Sequence, residues 1–282
     1  MKVKYLVAAL AMSFAAGAAQ ADTVASQLFT GFQQLSDNSA EYQAFDANGD
    51  GLLGKDDILR GIFTIETIEQ SPTTHQIGAA SGNNELTGIF EAVVSTYFTF
   101  GGQHFYTFAP SVAFEATYGT GAMIATFDDP ANNYSRVGAV PIATLEATAT
   151  GGTPFLVLGV TGSSNFWAAQ TISNDIAFIG SLPAPGNGGT FNSGLDILSQ
   201  GPAAAGLTFN NVPCFNTVTS SIVMVDVCDS GSVLAKGGAI TPYQTFDNVD
   251  FTVNVSRVPE PATLGLLGLG LMGLGLAHRR KA

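Results

Sequence analysis

The residues best suited to chemistry lie in one short loop near the start of the chain, FDANGDGLLGKDDI. Asp46, Asn48 and Asp50 alternate along it, so every second side chain ends in an oxygen, and Asp57 closes the run. Hard cations need such oxygens, because Ca²⁺ takes about six to eight of them. The spacing therefore predicts a calcium site in which these four side chains and the backbone carbonyl of Leu52 are ligands.

This loop resembles an EF-hand calcium loop. Gly51 stands at its sixth position, where the chain turns sharply, and the aliphatic Leu53 stands at the eighth. An aspartate at the twelfth position, Asp57, is similar to the loops of dockerin modules and of other exported bacterial proteins. The resemblance implies calcium as a structural cofactor. The loop is single, however, and the segment after it has a strand pattern, so a plain acidic turn is the alternative.

Catalytic motifs are not evident elsewhere in the sequence. His75, His104 and His278 match no zinc spacing, and there is no nucleophile elbow, phosphate-binding loop or redox cysteine pair. Carboxylates are plentiful, but nothing in the sequence pairs two of them for glycoside hydrolysis. We therefore expect a protein that is not an enzyme, with a secreted polymer hydrolase as the alternative.

Trp167 is the only tryptophan in the chain and admits two interpretations. An exposed indole can stack on a sugar ring, which makes it a candidate glycan contact. A single tryptophan in a β-rich protein is more often part of the core. Both interpretations stay open at the level of sequence.

Cys214 and Cys228 are the only cysteines. In an exported protein they are expected to form one disulfide, which closes a loop of about 15 residues and contributes about 3 kcal/mol in the chain-entropy model.

The elements around these residues are predicted mainly as strands. A short N-terminal helix is expected over SQLFTGFQQL, from the spacing of its apolar residues. Alternating or β-branched runs follow, among them VAFEATY, PFLVLGV, SSIVMVDV and DFTVNVSRV, separated by turn-rich segments. The pattern predicts a mainly β fold: a single β-sandwich-like domain with a short N-terminal helix and a calcium-type loop.

The first residues, MKVKYLVAALAMSFAAGAAQA, have the pattern of a secretory signal. Lys2 and Lys4 precede a short apolar stretch, and Ala19 and Ala21 satisfy the small-residue rule for signal peptidase. We expect export through the Sec pathway and cleavage before Asp22.

The last residues form an apolar segment with a basic end. The run from Ala262 to Ala277 carries no charged residue and would span about 24 Å as a helix, against about 30 Å for a hydrocarbon core. Arg279, Arg280 and Lys281 would stay on the cytoplasmic side of the membrane. This hydrophobic helix could anchor the chain transiently or stably, so a stably membrane-anchored binding module is a second alternative.

Immediately before this segment stands the triplet Pro259, Glu260 and Pro261. A Pro-Glu-Pro triplet, an apolar helix and a basic terminus, in that order, resemble the PEP-CTERM sorting tail of Gram-negative bacteria. The resemblance implies an exosortase-type membrane protease as partner, and delivery to the cell surface or the extracellular space. Such tails are typical of proteins associated with exopolysaccharide and biofilm. Prolines also keep the triplet extended, as a protease requires.

These signals divide the chain into four parts. Residues 1–21 are the predicted signal peptide, 22–60 the short helix plus the calcium-type loop, 61–257 the β-sandwich-like ectodomain, and 258–282 the sorting tail. A formal charge of −12 disfavours nucleic acid as a partner. The sequence as a whole predicts an exported, non-catalytic surface or matrix protein, with exopolysaccharide as a candidate ligand.

Overall fold

The computed structural model describes residues 23–78, 81–181, 187–234 and 242–258. The predicted signal peptide and residues 259–282 of the predicted tail lie outside these ranges. The strands are β1 Gly31–Phe45, β2 Ile58–Gln70, β3 Thr73–Gln76, β4 Glu85–Phe100, β5 Gln103–Pro110, β6 Ala122–Asp129, β7 Thr153–Gly159, β8 Phe166–Thr171, β9 Asn187–Gln200, β10 Leu207–Asn210, β11 Val212–Asn216, β12 Ser221–Val225, β13 Val227–Leu234 and β14 Thr245–Arg257. The helices are α1 Val24–Gln27, α2 Val112–Tyr118, α3 Ile142–Thr150 and α4 Ile176–Ser181, with a 3₁₀ turn at Pro202–Ala204.

Most strands belong to one antiparallel sheet of twelve, in the order β3-β2-β1-β14-β13-β9-β7-β6-β4-β5-β8, with β10 on β14. Strand β8 also pairs with β9, and β2 also pairs with β4, so the sheet closes on itself around a core. Strands β11 and β12 form a separate hairpin. The mainly β, sandwich-like prediction is thus confirmed.

The two larger core clusters lie on opposite faces of the main sheet, because successive side chains of a strand point to opposite faces. The larger cluster fills the interior of the sheet and includes Phe63, Phe90 and Phe251. A smaller cluster lies on the outer face, where Phe114 of α2 and Leu145 of α3 pack over the strands.

Helix α3 is held on the sheet by an ion-pair network centred on Arg60 of β2. The Arg60 guanidinium donates to both carboxylate oxygens of Glu146, at 2.7 and 3.0 Å, and to Glu91 of β4. Tyr42 of β1 also donates to Glu146, at 3.1 Å. Bidentate geometry of this kind fixes the helix in orientation as well as in position.

Glycine and phenylalanine face each other across the strand pairs. In the β2–β4 register Gly61 lies opposite Phe90 and Phe63 lies opposite Gly88. A Cβ on Gly88 would lie 2.2 Å from the Phe63 ring, so the ring lies directly over the glycine. These pairs let large aromatic rings fill the interior without pushing the strands apart.

Three sequence predictions of local structure need correction. The N-terminal helix is present but covers only Val24–Gln27, and Phe32 and Leu35, expected on that helix, belong to β1. Burial alternates with a period of two from Gln33 to Ser39, and the apolar spacing used for the helix prediction does not show this alternation. Because β1 lies between β2 and β14, the division at residue 60 falls inside β2 and separates no unit.

The second correction concerns VAFEATY, predicted as a strand and folded as helix α2. The Ser111 hydroxyl caps it by accepting the Phe114 N–H at 3.1 Å, and Gly119 ends it at positive φ. The third concerns SSIVMVDV, which divides between β12 and β13 and leaves Ile222 71 % exposed, rather than buried on both faces. The alternation predicted for the last strand is confirmed in β14.

Candidate functional site

The loop between β1 and β2 contains the predicted calcium ligands and is built from a chain of short side-chain-to-backbone bonds. Asp46 accepts the N–H groups of Gly49 and Gly51 at 2.6 and 2.7 Å, and Asn48 accepts that of Asp50 at 3.0 Å. Gly51 has φ +75°, the left-handed turn predicted for it. The Gly51 N–H lowers the pKa of the Asp46 carboxyl by stabilising its ionised form.

Asp57, the predicted twelfth ligand, is fully buried and clamps the loop. Its carboxylate accepts the N–H groups of Ala47 at 2.8 Å and Gly54 at 2.6 Å, together with the amide of Gln43 at 2.9 Å. The same Gln43 amide donates to the carbonyl of Leu52, another predicted ligand, at 3.1 Å. The Asp57 carboxylate and the Leu52 carbonyl, two predicted calcium ligands, therefore already have hydrogen-bond partners within the protein.

The loop oxygens suit a hard cation chemically, since each bonded oxygen of Asp46 and Asp50 keeps a further lone pair toward solvent. Within the described ranges, no three His, Cys, Asp or Glu side chains are grouped so that they could hold a metal ion together. The calcium site thus stays a prediction, with exposed loop oxygens as its available ligands.

The predicted glycan contact, Trp167, lies inside the protein. Its side chain is 8 % exposed, and its ring lies 5.6 Å from that of Phe90 and 5.7 Å from that of Phe108. A polymer at the surface cannot stack on a ring placed there. The interpretation of Trp167 as a core residue is therefore correct, because β8 directs its side chain into the interior.

The predicted disulfide is present. Cys214 of β11 and Cys228 of β13 are bonded, with their Cα atoms 5.3 Å apart. The bond attaches the separate β11–β12 hairpin to the main sheet beside Phe166 and Val212.

Exposed aromatic rings lie at the tip of the β4–β5 hairpin. Phe98 and Phe105 face each other across the two strands, with ring centroids 5.0 Å apart and planes at 8°. Phe100 is two residues from Phe98 and so lies on the same face, 76 % exposed. The turn is Gly101 and Gly102, both at positive φ, as a two-residue hairpin loop requires. These three phenylalanines lie on one face of the hairpin, which we call the aromatic face.

A second polar group, which the sequence analysis missed, lies inside the sheet. Asp37, Ser39 and Glu41 alternate along β1 and so share one face, and the register sets Ser39 opposite Asp247 of β14. Asp229 of β13 joins them. The acidic side chains are at most 5 % exposed. Alternation of polar residues within β1 was the available signal, but the predicted helix ended at Leu35 and no strand was predicted for the residues that follow it.

These residues line an internal cavity of about 60 Å³, the space open to the centres of water molecules. Its remaining walls are mainly apolar, and they include Phe63, Trp167 and Phe191. Leu53 of the loop also lines it, and the Leu53 N–H donates to the carbonyl of Asn174 at 2.6 Å. The loop is therefore tied to the segment that leads into α4.

Burial raises the pKa of every acid in this group, because a charged carboxylate loses its hydration there. The pKa of Glu41 rises to about 7, and that of Asp229 to about 6. The pKa values of Asp37 and Asp247 are raised well above the usual range. Arg136, whose Nη1 donates to the Ser39 carbonyl at 3.0 Å, opposes this effect on Asp37.

The C-terminal end of the sheet is fastened to its N-terminal end. Arg257, the last residue of β14, donates from Nη2 to the carbonyls of Ala25, Ser26 and Leu28, at 2.8, 3.1 and 2.6 Å. The next N–H, that of Val258, bonds to the carbonyl of Gly206 at 2.8 Å. The sorting triplet starts at the following residue.

Residues 257–281 match the PEP-CTERM protein-sorting motif. The motif implies export by an exosortase-type system and sorting to the cell surface or the extracellular space. Comparison with curated proteins and with solved structures finds no match. The triplet Pro259 to Pro261 and the basic residues Arg279, Arg280 and Lys281 lie outside the described residues.

In the part of the chain that the structure describes, no helix is long and apolar enough to cross a membrane. The apolar run predicted as a membrane helix, from Ala262 to Ala277, falls outside that part.

Proposed function

We propose that this chain is an exported, non-catalytic protein of the cell surface or extracellular matrix, which an exosortase-type protease releases from the inner membrane. The match of residues 257–281 to the sorting motif carries this proposal. In this account the N-terminal signal directs the chain through the Sec pathway and signal peptidase removes it. The tail then holds the chain in the membrane until it is cut.

The geometry at the end of β14 supports such a cut. Hydrogen bonds from Arg257 and Val258 fasten the last strand to α1 and to Gly206. The triplet begins one residue later, so cleavage there would remove no described strand and break none of these bonds. A released domain would keep its sheet complete.

Cell fractionation tests this function. The full-length chain is expressed in a Gram-negative host with an exosortase system and in a matched strain without it. We expect the protein at the surface or in the medium of the first strain, and in the inner-membrane fraction of the second. The same distribution in both strains contradicts the proposal.

We further propose that the aromatic face binds polysaccharide. Sugar rings present flat C–H surfaces that stack on aromatic rings, whose faces are electron-rich. Phe98 and Phe100 are 52 and 76 % exposed and therefore accessible, and the Phe98 ring is stacked on that of Phe105. It takes the role that the sequence analysis gave to Trp167.

A sedimentation assay with the host's extracellular polysaccharide tests this surface. Combining Phe98→Ala with Phe100→Ala should abolish co-sedimentation of the full-length chain. Phe32→Ala is the matched control, because Phe32 is a comparably exposed phenylalanine, at 55 %, on β1. Equal binding by all three proteins would exclude the aromatic face as the contact.

Calcium is proposed as a structural ion at the exposed oxygens of the β1–β2 loop. Asp46 and Asp50 would hold it, and it would stiffen a loop whose Leu53 packs into the core. We expect millimolar Ca²⁺ to raise the melting temperature of the full-length chain. Mg²⁺ is the ionic-strength control, and Asp46→Ala should remove the effect. An unchanged melting temperature and no heat of binding would rule the site out.

A further inference from the structure

The group of buried acids contains oxygen atoms without partners. Within the described residues, Asp37 Oδ2, Ser39 Oγ and Asp247 Oδ1 make no hydrogen bond, although Asp37 and Ser39 are 2 % exposed and Asp247 is 5 % exposed. All three residues line the internal cavity. Buried polar atoms without partners are rare and costly, so three of them around one space indicate a ligand that donates hydrogen bonds.

Asp37 is bonded through one oxygen only, since Oδ1 accepts the Val249 N–H at 2.9 Å. Asp229 accepts the Ser193 N–H at 2.7 Å and the Ser193 hydroxyl at 2.5 Å. Glu41 lies close enough to Asp247 to share a proton with it, and Asp247 Oδ1 has no hydrogen-bond partner among the described residues. The unpartnered oxygens therefore belong to residues of β1 and β14 that line the cavity.

The charged groups around Asp37 are mainly negative. Among the described residues, the charged groups that act most strongly on Asp37 are Asp229, Asp250 and one cation, Arg136. Arg136 also lies over the Phe246 ring, at 4.6 Å from its centroid. One guanidinium does not neutralise the negative charge that these carboxyl groups would carry when ionised. A positively charged ligand would therefore favour their ionised forms.

The rest of the cavity favours an apolar body. Phe63, Trp167, Phe191 and Phe251 line it, and aromatic faces attract both hydrocarbon and cations. A divalent metal fits less well, because it needs about six oxygens, and no three acidic, His or Cys side chains among the described residues are grouped for one. An ammonium group needs only acceptors for its three N–H donors.

We propose that the cavity binds a small primary ammonium compound, whose N–H groups donate to Asp37, Ser39 and Asp247 while its hydrocarbon part lies against the aromatic wall. The volume limits its size. About 60 Å³ holds roughly four water-sized atoms, which corresponds to a short alkylamine. This inference is independent of the sorting tail and of the aromatic face.

Titration calorimetry of the full-length chain with propylammonium chloride tests the proposal. At pH 8 we expect saturable binding, and no binding of 1-propanol, which has the same shape without the charge. Repeating the titration in buffers of different ionisation enthalpy should show that protons are released on binding. Binding should weaken at least tenfold at pH 5, because protons then compete with the ligand for the carboxylates.

Variants locate the site. Asp37→Asn should weaken propylammonium binding at least tenfold. Asp128→Asn should change it less than threefold, because Asp128 is equally buried and bonded through both oxygens but does not line the cavity. If Asp37→Asn does not fold, Ser39→Ala takes its place, with the same expected direction. Equal affinity for 1-propanol, equal losses in Asp37→Asn and Asp128→Asn, or Ca²⁺ competing at equal concentration would each overturn the proposal.

Discussion

Replacing Asp229 by asparagine should change how the stability of the fold depends on pH. Asp229 lies on the inner face of β13, fully buried, and both of its oxygens are bonded to Ser193. Asparagine has the same shape and retains an acceptor for the Ser193 N–H, but it cannot ionise. The comparison therefore isolates the cost of a buried charge from the cost of a lost contact.

The magnitude follows from the pKa of Asp229, which burial raises from 3.8 to about 6. The difference between these two pKa values corresponds to about 3 kcal/mol of unfolding free energy. Since the folded state holds the proton more tightly than the unfolded state, this stability is fully present below about pH 4. It is lost as the pH rises through about 6. Asp229 also raises the pKa of Asp37. Asp229→Asn should therefore lower the pKa of Asp37 and favour the variant further at high pH.

Urea unfolding of the wild type and of Asp229→Asn, at pH 4 and at pH 8, measures the effect. The difference in unfolding free energy should move by about 3 kcal/mol in favour of the variant between the two pH values. With a urea slope of about 1–3 kcal/mol per M, the midpoints separate by about 1 M or more. A difference that stays constant with pH, or moves in favour of the wild type, refutes the reasoning.

Three further outcomes are expected from equilibrium unfolding. Arg60→Met should destabilise the fold by about 3 kcal/mol, because it leaves the carboxylates of Glu91 and Glu146 in a largely buried place without the guanidinium. A loss of unfolding free energy below about 1 kcal/mol contradicts this. Gly88→Ala should cost about 1–3 kcal/mol, since its Cβ would clash with the Phe63 ring, whereas Gly82→Ala, with open space around it, tests the strain of positive φ alone. Changing both cysteines to alanine should cost about 3 kcal/mol, and reductant should then have no further effect.

The sequence predicted those features of the fold that local patterns determine. The alternation of Phe251, Val253 and Val255 in β14 and the pairing of two cysteines in an exported chain are such features. The glycine turn at Gly51 is another, because few other residues accept its φ.

The features that the sequence did not predict depend on contacts between residues far apart in the chain. Residues 112–118 alternate as a strand would, but Ser111 caps them and they fold as a helix over the outer face of the sheet. The cavity depends on the register of β1 and β14, which brings residues about two hundred positions apart to one face. No local pattern reveals that Asp37 and Asp247 meet inside the protein.

Mass spectrometry of the mature chain, purified from the surface or medium of an exosortase-containing host, tests the central claim most directly. Removal of the sorting tail predicts a C-terminus within a few residues of Pro259 to Pro261 and an N-terminus at Asp22. A surface or medium fraction in which the protein still ends in Arg279, Arg280, Lys281 and Ala282 would contradict the claim.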